Sequence, residues 1–226
     1  MKVTYYGHSS FGVETAGKHL LFDPYISPNP LAAAIKLDSI KADYILLSHA
    51  HQDHIADVPY LAEHTEATLV ACYEIYTHFS QRGIKAIRPM NIGGSFTADG
   101  ITIKAVNAIH SSSFEDGSYG GVPMGFVVTS KEGNFYYSGD TALTLDMKLI
   151  GETTTLKFAM LPVGDNFTMG ADDAVRACGF IKCNNIIGMH YDTFDIIKID
   201  KNEARKKFEK AGKKLSLMAI GETKEF

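Results

Sequence analysis

Short apolar runs of strand length, separated by turn-forming residues, dominate the hydrophobic pattern of the chain. The first 23 residues hold three of these runs, which are punctuated by Gly7 and Gly17 and closed by Asp23 and Pro24. Later runs recur in the same style, and several end shortly before a His or an Asp. The pattern predicts a strand-rich block over residues 84–106 and strands over 3–6, 11–15, 19–22, 44–48, 68–71, 125–129, 134–137, 158–161, 186–189 and 215–220.

Segments with helical spacing lie between these strands. Helices are predicted over residues 58–64, 74–81 and 172–182, and a last helix is predicted to begin at Asp200 and end at Gly212. Clusters of strands that alternate with helices predict an α/β fold in which two sheets are packed between helices. A chain of 226 residues suits one such domain over residues 1–226, made of two αβ halves of about 1–125 and 126–226.

Composition and charge narrow the classes of function. Hydrophobic residues make up 45% of the chain, and the net charge of −4 gives no basic surface for nucleic acid or an anionic membrane. No stretch reaches the ~20 apolar residues that span a bilayer, and the amino terminus has a strand pattern, so a cytoplasmic location is expected. Cys72, Cys178 and Cys183 form no CxxC pair and are expected to be buried free thiols. Any metal site must therefore consist of His and Asp.

A dense set of metal-ligating side chains follows the predicted strand 44–48. The run HAHQDH over residues 49–54 places three imidazoles and a carboxylate within six positions. His110, Asp140 and His190 each follow another apolar strand. Side chains at strand ends project from a rigid frame into a cleft that solvent can reach. Histidine and carboxylate together suit a borderline divalent cation such as Zn²⁺.

The order HxHxDH, His, Asp, His resembles the signature of the metallo-β-lactamase superfamily, and the resemblance covers nearly the whole chain. The chain is most similar to the small cytosolic branch of this superfamily, which includes ascorbate-6-phosphate lactonase-like proteins and other metal-dependent hydrolases. The resemblance implies a four-layer αββα sandwich with metal-dependent hydrolase activity. The segments that carry the similarity to this branch are YGHS at 6–9, FDP at 22–24, NIGGS at 91–95, AIHSS at 108–112 and GDNFTMG at 164–170.

The resemblance also implies two metal ions. The implied ligands are His49, His51 and His110 for one ion, Asp53, His54 and His190 for the other, and Asp140 as a bridge between them. The spacing of His49 and His51 agrees with a shared ion, because side chains at i and i+2 of an extended segment point the same way. Seven ligands are too many for one tetrahedral centre and suit two centres about 3.5–4 Å apart. Zn²⁺ is the expected metal, with Mn, Fe and Ni as alternatives.

Two ions that share a water would give a bridging hydroxide near neutral pH. This chemistry implies hydrolysis of a small ester, lactone or phosphodiester, with Asp53 and Asp140 in the catalytic centre. Many true β-lactamases of this fold carry Cys at the position of Asp140, and the carboxylate here favours a two-metal hydrolase over penicillin hydrolysis. Two alternatives stay open, namely an iron- or manganese-dependent redox member of the superfamily and a non-catalytic metal-binding protein.

Other residues near the predicted strand ends are candidates for supporting roles. His8 is expected to bind substrate or transfer a proton, or else to be a hydrogen-bonded turn residue. Asp23 is expected to orient a ligand. Asp165 and Asn166 are candidates for a substrate-binding or ligand-supporting role, and the loop 111–121 either lines the pocket or is simply flexible.

The partner is expected to be a small-molecule substrate, whose identity the sequence does not specify. Homo-oligomer formation stays open, since the apolar segment 30–35 could be a subunit contact or a lid. His19, His64 and His78 lie apart from the other ligands and are expected to have structural or surface roles.

Overall fold

Two seven-stranded sheets lie face to face in the computed structural model, which describes all 226 residues. The first sheet has the order β14 (Thr223–Glu225), β1 (Lys2–Gly7), β2 (Ser10–Thr15), β3 (Lys18–Phe22), β4 (Tyr44–Leu46), β5 (Thr68–Cys72) and β6 (Ile87–Met90). The second has the order β13 (Lys214–Ser216), β12 (Asn185–Met189), β11 (Phe158–Pro162), β10 (Gly133–Tyr137), β9 (Met124–Ser130), β8 (Ile101–Asn107) and β7 (Ser95–Ala98).

Helices on the outer faces of the two sheets complete the αββα sandwich, which confirms the predicted fold class. The six helices of the chain are α1 (Gln52–Ile55), α2 (Val58–Thr65), α3 (Tyr73–Ser80), α4 (Met147–Thr153), α5 (Ala171–Phe180) and α6 (Lys201–Lys210). Helix α3 packs on β5 and β6, whereas α5 and α6 pack on the second sheet. None of the helices combines the length and the hydropathy that a membrane crossing requires.

Alternate side chains of the central strands enter different cores. In β10, Phe135 and Tyr137 face the core between the sheets, while Tyr136 faces the core beneath α4, α5 and α6. The ring of Phe22 from the first sheet lies 5.9 Å from the ring of Phe135 and stacks on Tyr137 at 4.6 Å. Because both faces of such a strand are buried, its sequence is a continuous apolar run.

Parallel pairing directs the carboxyl ends of many strands to one edge of the sandwich. Strands β3 to β6 are parallel to one another in the first sheet, and β10 to β13 are parallel in the second. The segments that follow β4, β10 and β12 carry the run 49–54, Asp140 and His190. The fold therefore brings the predicted ligands of both sheets to the same edge.

The structure differs from the sequence-based prediction in three elements. The short helix α1 was not predicted, and it begins at Gln52, directly after His51, whose backbone is extended. The predicted strand 215–220 is limited to β13, after which the chain crosses to the first sheet and pairs as β14 with β1. Helix α4 was not predicted, since it contains Gly151 and ends at Thr153, two residue types that disfavour helix. The helix is held by the buried side chains of Met147 and Ile150.

The change from one sheet to the other falls at residues 91–94, between β6 and β7, and not at the boundary near residue 125. Strands β7 and β8 precede residue 125 but pair antiparallel with each other and with β9, so they belong to the second sheet.

Candidate metal centre

Three of the predicted ligands form a compact histidine group. His49 Nε2 lies 2.9 Å from His51 Nδ1, and the His110 ring is 5.0 Å from the His49 ring and 5.2 Å from the His51 ring. Potential ligand atoms of the three residues all lie within 4.8 Å of one another. His49 is fully buried, whereas His51 and His110 are partly open to solvent. The geometry suits one cation that is bound by three imidazoles and reached from outside.

A second group combines Asp53, His54 and His190. Asp53 Oδ2 lies 3.9 Å from His54 Nε2 and 3.9 Å from His190 Nε2. Helix α1 supplies the first two residues from adjacent positions, and His190 directly follows β12. Ligand atoms of the three residues, together with His8, fall within 4.8 Å of one another. This group offers a mixed nitrogen and oxygen environment to a second cation.

Asp140 lies between the two groups. Its Oδ2 is 2.9 Å from His190 Nε2 and 3.3 Å from His54 Nε2 in the second group, and 3.7 Å from His110 Nε2 in the first. Its side chain is only 2% exposed. One buried carboxylate therefore reaches ligands of both groups.

Asp23 orients His54 from behind. Its fully buried carboxylate accepts hydrogen bonds from Ser48 N at 2.7 Å, Tyr137 Oη at 2.7 Å and His54 Nδ1 at 2.8 Å. Because an ionised carboxylate only accepts hydrogen bonds, the proton of this last bond lies on His54 Nδ1. Nε2 of the same ring is thereby directed toward Asp140 and the cluster.

His8 makes two hydrogen bonds and lies behind Asp53. Its Nε2 is 3.0 Å from Asp53 Oδ2, and its Nδ1 is 2.9 Å from Thr193 Oγ1. Burial lowers the pKa of His8 to about 4, although the hydrogen bond with Asp53 opposes that shift. The ring is therefore neutral at pH 7, donating from Nε2 to the carboxylate and accepting at Nδ1 from Thr193. The expectation that His8 binds substrate or transfers a proton is not supported, since its side chain is closed to solvent and both nitrogens are engaged.

Charge is balanced within the cluster by opposite shifts in pKa. Burial disfavours the charged form of Asp140, but His190 and His54 outweigh it and hold the pKa of that carboxyl well below its usual value. Burial also opposes a charge on His54, whose pKa is nevertheless raised well above 6.5 by Asp140, Asp53 and Asp23. The opposite shifts mean that each of the two groups favours the charged form of the other.

Buried atoms without hydrogen-bond partners give an independent test of whether a cation fits. His54 Nε2 and Asp140 Oδ1 are buried and lack a hydrogen-bond partner. The two side chains lie close together, with His54 Nε2 3.3 Å from the other carboxylate oxygen of Asp140. Buried polar atoms are normally paired, and nitrogen and oxygen donors are the ligands that Zn²⁺ takes. The residues therefore fit a bound divalent metal.

Three residues of the site have backbones in the left-handed region. The φ angles of His8, Asp23 and His190 are 54°, 41° and 55°. Residues with side chains rarely adopt this conformation, and it is retained where the surrounding structure enforces it, often at functional sites. The backbone of His190 is held by a hydrogen bond from its N to His8 O, at 3.0 Å, and by close contact with Gly164.

Asp165 and Asn166 lie outside the cluster, in a tight exposed turn in which the backbone N of Asn166 donates to Asp165 Oδ1 at 2.8 Å. The loop 111–121 borders the site, since Ser111 Oγ lies 3.4 Å from His51 Nε2 and Ser112 Oγ accepts from Ala50 N at 3.1 Å. The loop is anchored, because Phe114 is buried and stacks on His78 at 3.8 Å.

Three residues that contact the site were not identified from the sequence. Ser48 and Tyr137 bond to Asp23, and Thr193 bonds to His8. Ser48 directly precedes the ligand run, and Tyr137 ends a strand that leads to Asp140. Their positions in the sequence could therefore have identified them as neighbours of the site. Thr193 carried no such signal, because it lies 185 residues from His8 in the chain.

Comparison with known proteins agrees with this geometry. Residues 2–190 match the β-lactamase superfamily domain. The chain is 52% identical to a UPF0173 metal-dependent hydrolase of Flavobacterium johnsoniae and 41% identical to one of Anoxybacillus flavithermus, with 100% of each chain covered in both comparisons. Among solved structures it is similar to Igni18, a metallo hydrolase of Ignicoccus hospitalis, with 37% identity, a TM-score of 0.89 and coverage of 100% of this chain and 98% of that one.

Proposed function

The chain belongs to the metallo-β-lactamase superfamily as a metal-dependent hydrolase, and on that basis we propose that it uses a dinuclear centre to cleave a small ester, lactone or phosphodiester. In this proposal His49, His51 and His110 hold one ion, Asp53, His54 and His190 hold the other, and Asp140 bridges them.

The position of Asp140 is the observation that carries the proposed dinuclear centre. Its carboxylate lies within 4 Å of ring nitrogens from both ligand groups, and one of its oxygens is buried without a hydrogen-bond partner. A single tetrahedral ion uses four ligands, so seven convergent residues exceed what one ion needs. A carboxylate shared between two sets of histidines is a suitable bridge for two cations.

Two bound divalent ions would supply a hydroxide near neutral pH by lowering the pKa of a shared water from ~15.7 to about 7, and would polarise the group under attack. The protein residues position this chemistry. Asp23 orients the His54 ring, and His8 holds the Asp53 carboxylate in place. Solvent and substrate reach the centre on the side of His51, Asp53 and His110, which are its partly exposed members.

Zn²⁺ is the proposed metal, because five imidazoles and two carboxylates combine nitrogen and oxygen ligands without thiolate. The same ligands accept Mn, Fe or Ni. Elemental analysis of protein purified without added metal distinguishes these ions, and an anaerobic absorbance spectrum would reveal iron.

The substitution Asp140→Asn tests the proposed function. It keeps the shape of the side chain but removes the charge of the bridge, so we expect metal content to fall from two ions per chain to one or fewer. The value of kcat/KM on p-nitrophenyl esters, lactones and bis-p-nitrophenyl phosphate should fall at least ~100-fold for any substrate that the native protein cleaves.

The matched control is Asp173→Asn, which removes an exposed carboxylate of α5 that pairs with Arg176. It should keep native metal content and turnover. If Asp140→Asn also kept two ions and native turnover, the proposed bridge would be wrong.

A further inference from the structure

We propose that the non-reacting part of the substrate is uncharged and apolar, an inference that rests on the proposed function and narrows it. The basis is the distribution of charged and apolar side chains around the ligand edge of the sandwich.

Cationic side chains are almost absent from the connections at this edge. The chain has 22 Lys and Arg, yet only Lys198 lies in the segments 7–9, 23–29, 47–57, 91–94, 108–123, 138–146, 163–170, 190–200 and 217–222. Lys198 is paired with Asp195 at 2.6 Å, and its side chain is 65% exposed. Lys148, just beyond one segment, is directed over the ring of Phe180 at 5.0 Å. Both cations therefore already have a partner within the protein.

Carboxylates are common in the same segments. In addition to the ligands they include Glu115, Asp116, Asp146, Asp165 and Asp200, none of which pairs with a lysine or an arginine. Asp57 is buried, and Asp192 and Asp195 are paired with Lys201 and Lys198. A negative rim slows the approach of an anion by long-range repulsion. An anionic group held away from the metal ions would also lose its hydration without gaining a counter-charge. A substrate with a carboxylate or another anionic group away from the reacting bond is therefore disfavoured.

Apolar side chains border the ligands instead. Phe194 is 37% exposed, and its ring lies 5.5 Å from His8 and 6.4 Å from Tyr25. Ile109 is 51% exposed and directly precedes His110. Its backbone N donates to Thr141 Oγ1 at 2.9 Å, which fixes it beside Asp140. Apolar side chains exposed at the mouth of a site mark a surface that binds the apolar part of a ligand.

A pair of esters that differ only in distal charge tests this preference. The substrates are the p-nitrophenyl esters of monomethyl adipate, which is neutral, and of adipate with a free carboxylate. The zinc-loaded protein should cleave the neutral ester with a kcat/KM about tenfold higher at low ionic strength, and the ratio should shrink in 0.5 M salt as the repulsion is screened. Equal rates, or a faster reaction of the anion, would overturn the inference.

A positive charge introduced beside the ligands should reduce the preference for the neutral ester. Ile109→Lys introduces a cation beside His110 and should raise kcat/KM for the anionic ester several-fold relative to the neutral one. Ile109→Met is the matched control, since it has similar length without charge and should keep the native ratio. An unchanged ratio in Ile109→Lys would contradict the proposed role of charge.

A binding measurement distinguishes a failure of this inference from a failure of the proposed function. Hexanohydroxamic acid and the monohydroxamate of adipate present the same metal-binding head with a neutral or an anionic tail. By calorimetry on the zinc-loaded protein, the neutral compound should bind about tenfold more tightly. If no ester is cleaved but the neutral compound still binds more tightly, only the hydrolase proposal is overturned. Equal or tighter binding of the anionic compound would overturn the charge preference, whether or not esters are cleaved.

Discussion

Asp23 links the ligands to the core between the sheets. Its carboxylate joins a backbone amide, a tyrosine of the second sheet and a ligand histidine, all without exposure to solvent. Removal of one partner from a buried charged network leaves the other groups unpaired, which costs more than an ordinary hydrogen bond. Asp23 therefore contributes both to stability and to the orientation of His54.

The substitution Asp23→Ala should destabilise the protein by about 3–5 kcal/mol in urea unfolding, because Ser48 N, Tyr137 Oη and His54 Nδ1 lose their acceptor. Metal affinity should also fall, by roughly 10–100-fold, since the His54 ring is no longer oriented. Tyr137→Phe is the control, because it removes one donor and should cost about 1 kcal/mol. Equal effects of the two substitutions would show that Asp23 has no special role.

Polar residues after apolar strands were the informative signal for the site. The run 49–54, His110, Asp140 and His190 were all singled out from sequence, and the structure brings them to one edge. For His8 the sequence left two roles open, one on the substrate and one as a hydrogen-bonded turn residue, and it could not decide between them. The burial and the neutral ring of His8 depend on contacts with Asp53 and Thr193, which only the folded chain brings together.

Helix α4 shows why some elements were missed. Most strands were predicted within a residue or two, because their apolar runs are long enough to define a buried segment. Helix α4 forms through packing that its local sequence does not reveal. At Gly151 of α4, an added Cβ would lie 2.3 Å from Phe180 O of α5, so the two helices approach through a position that only glycine allows.

The substitution Gly151→Ala should therefore destabilise the protein by about 1–3 kcal/mol, because the added methyl group forces α4 away from α5. Gly179→Ala provides the control, since a Cβ at Gly179 has no neighbour within 4 Å. That change lies in α5 and should be neutral or stabilising by up to about 1 kcal/mol, as expected for alanine in a helix. Thermal unfolding measures both, and a stabilising Gly151→Ala would contradict the close packing of the two helices.

The whole molecule has two cores, with the site at one end of the contact between the sheets. The larger core contains side chains from both sheets, and the smaller one joins the second sheet to its helices. The αββα class was predicted from sequence, whereas the path of the carboxyl-terminal segment was not. That segment leaves the second sheet and adds β14 to the first through pairing with β1, a long-range contact without a local pattern.

Buried thiols predict that the stability of the whole chain falls in alkaline solution. Burial raises the pKa of Cys72 from 9.0 to about 11, so the unfolded thiol loses its proton before the folded one does. The unfolded state then binds fewer protons, and the free energy of unfolding decreases as pH rises from about 9 to 11. Urea unfolding at several pH values should show this loss, of about 2–3 kcal/mol for two pKa units. Cys72→Ala should reduce the slope, and an unchanged slope would contradict a buried, protonated Cys72.

Anomalous diffraction from crystals of the zinc-loaded protein would test the proposed dinuclear centre most directly. We expect two zinc peaks about 3.5–4 Å apart, with the carboxylate of Asp140 between them. One peak should lie against His49, His51 and His110, and the other against Asp53, His54 and His190. A single fully occupied peak, or two peaks that do not share Asp140, would contradict the proposed centre.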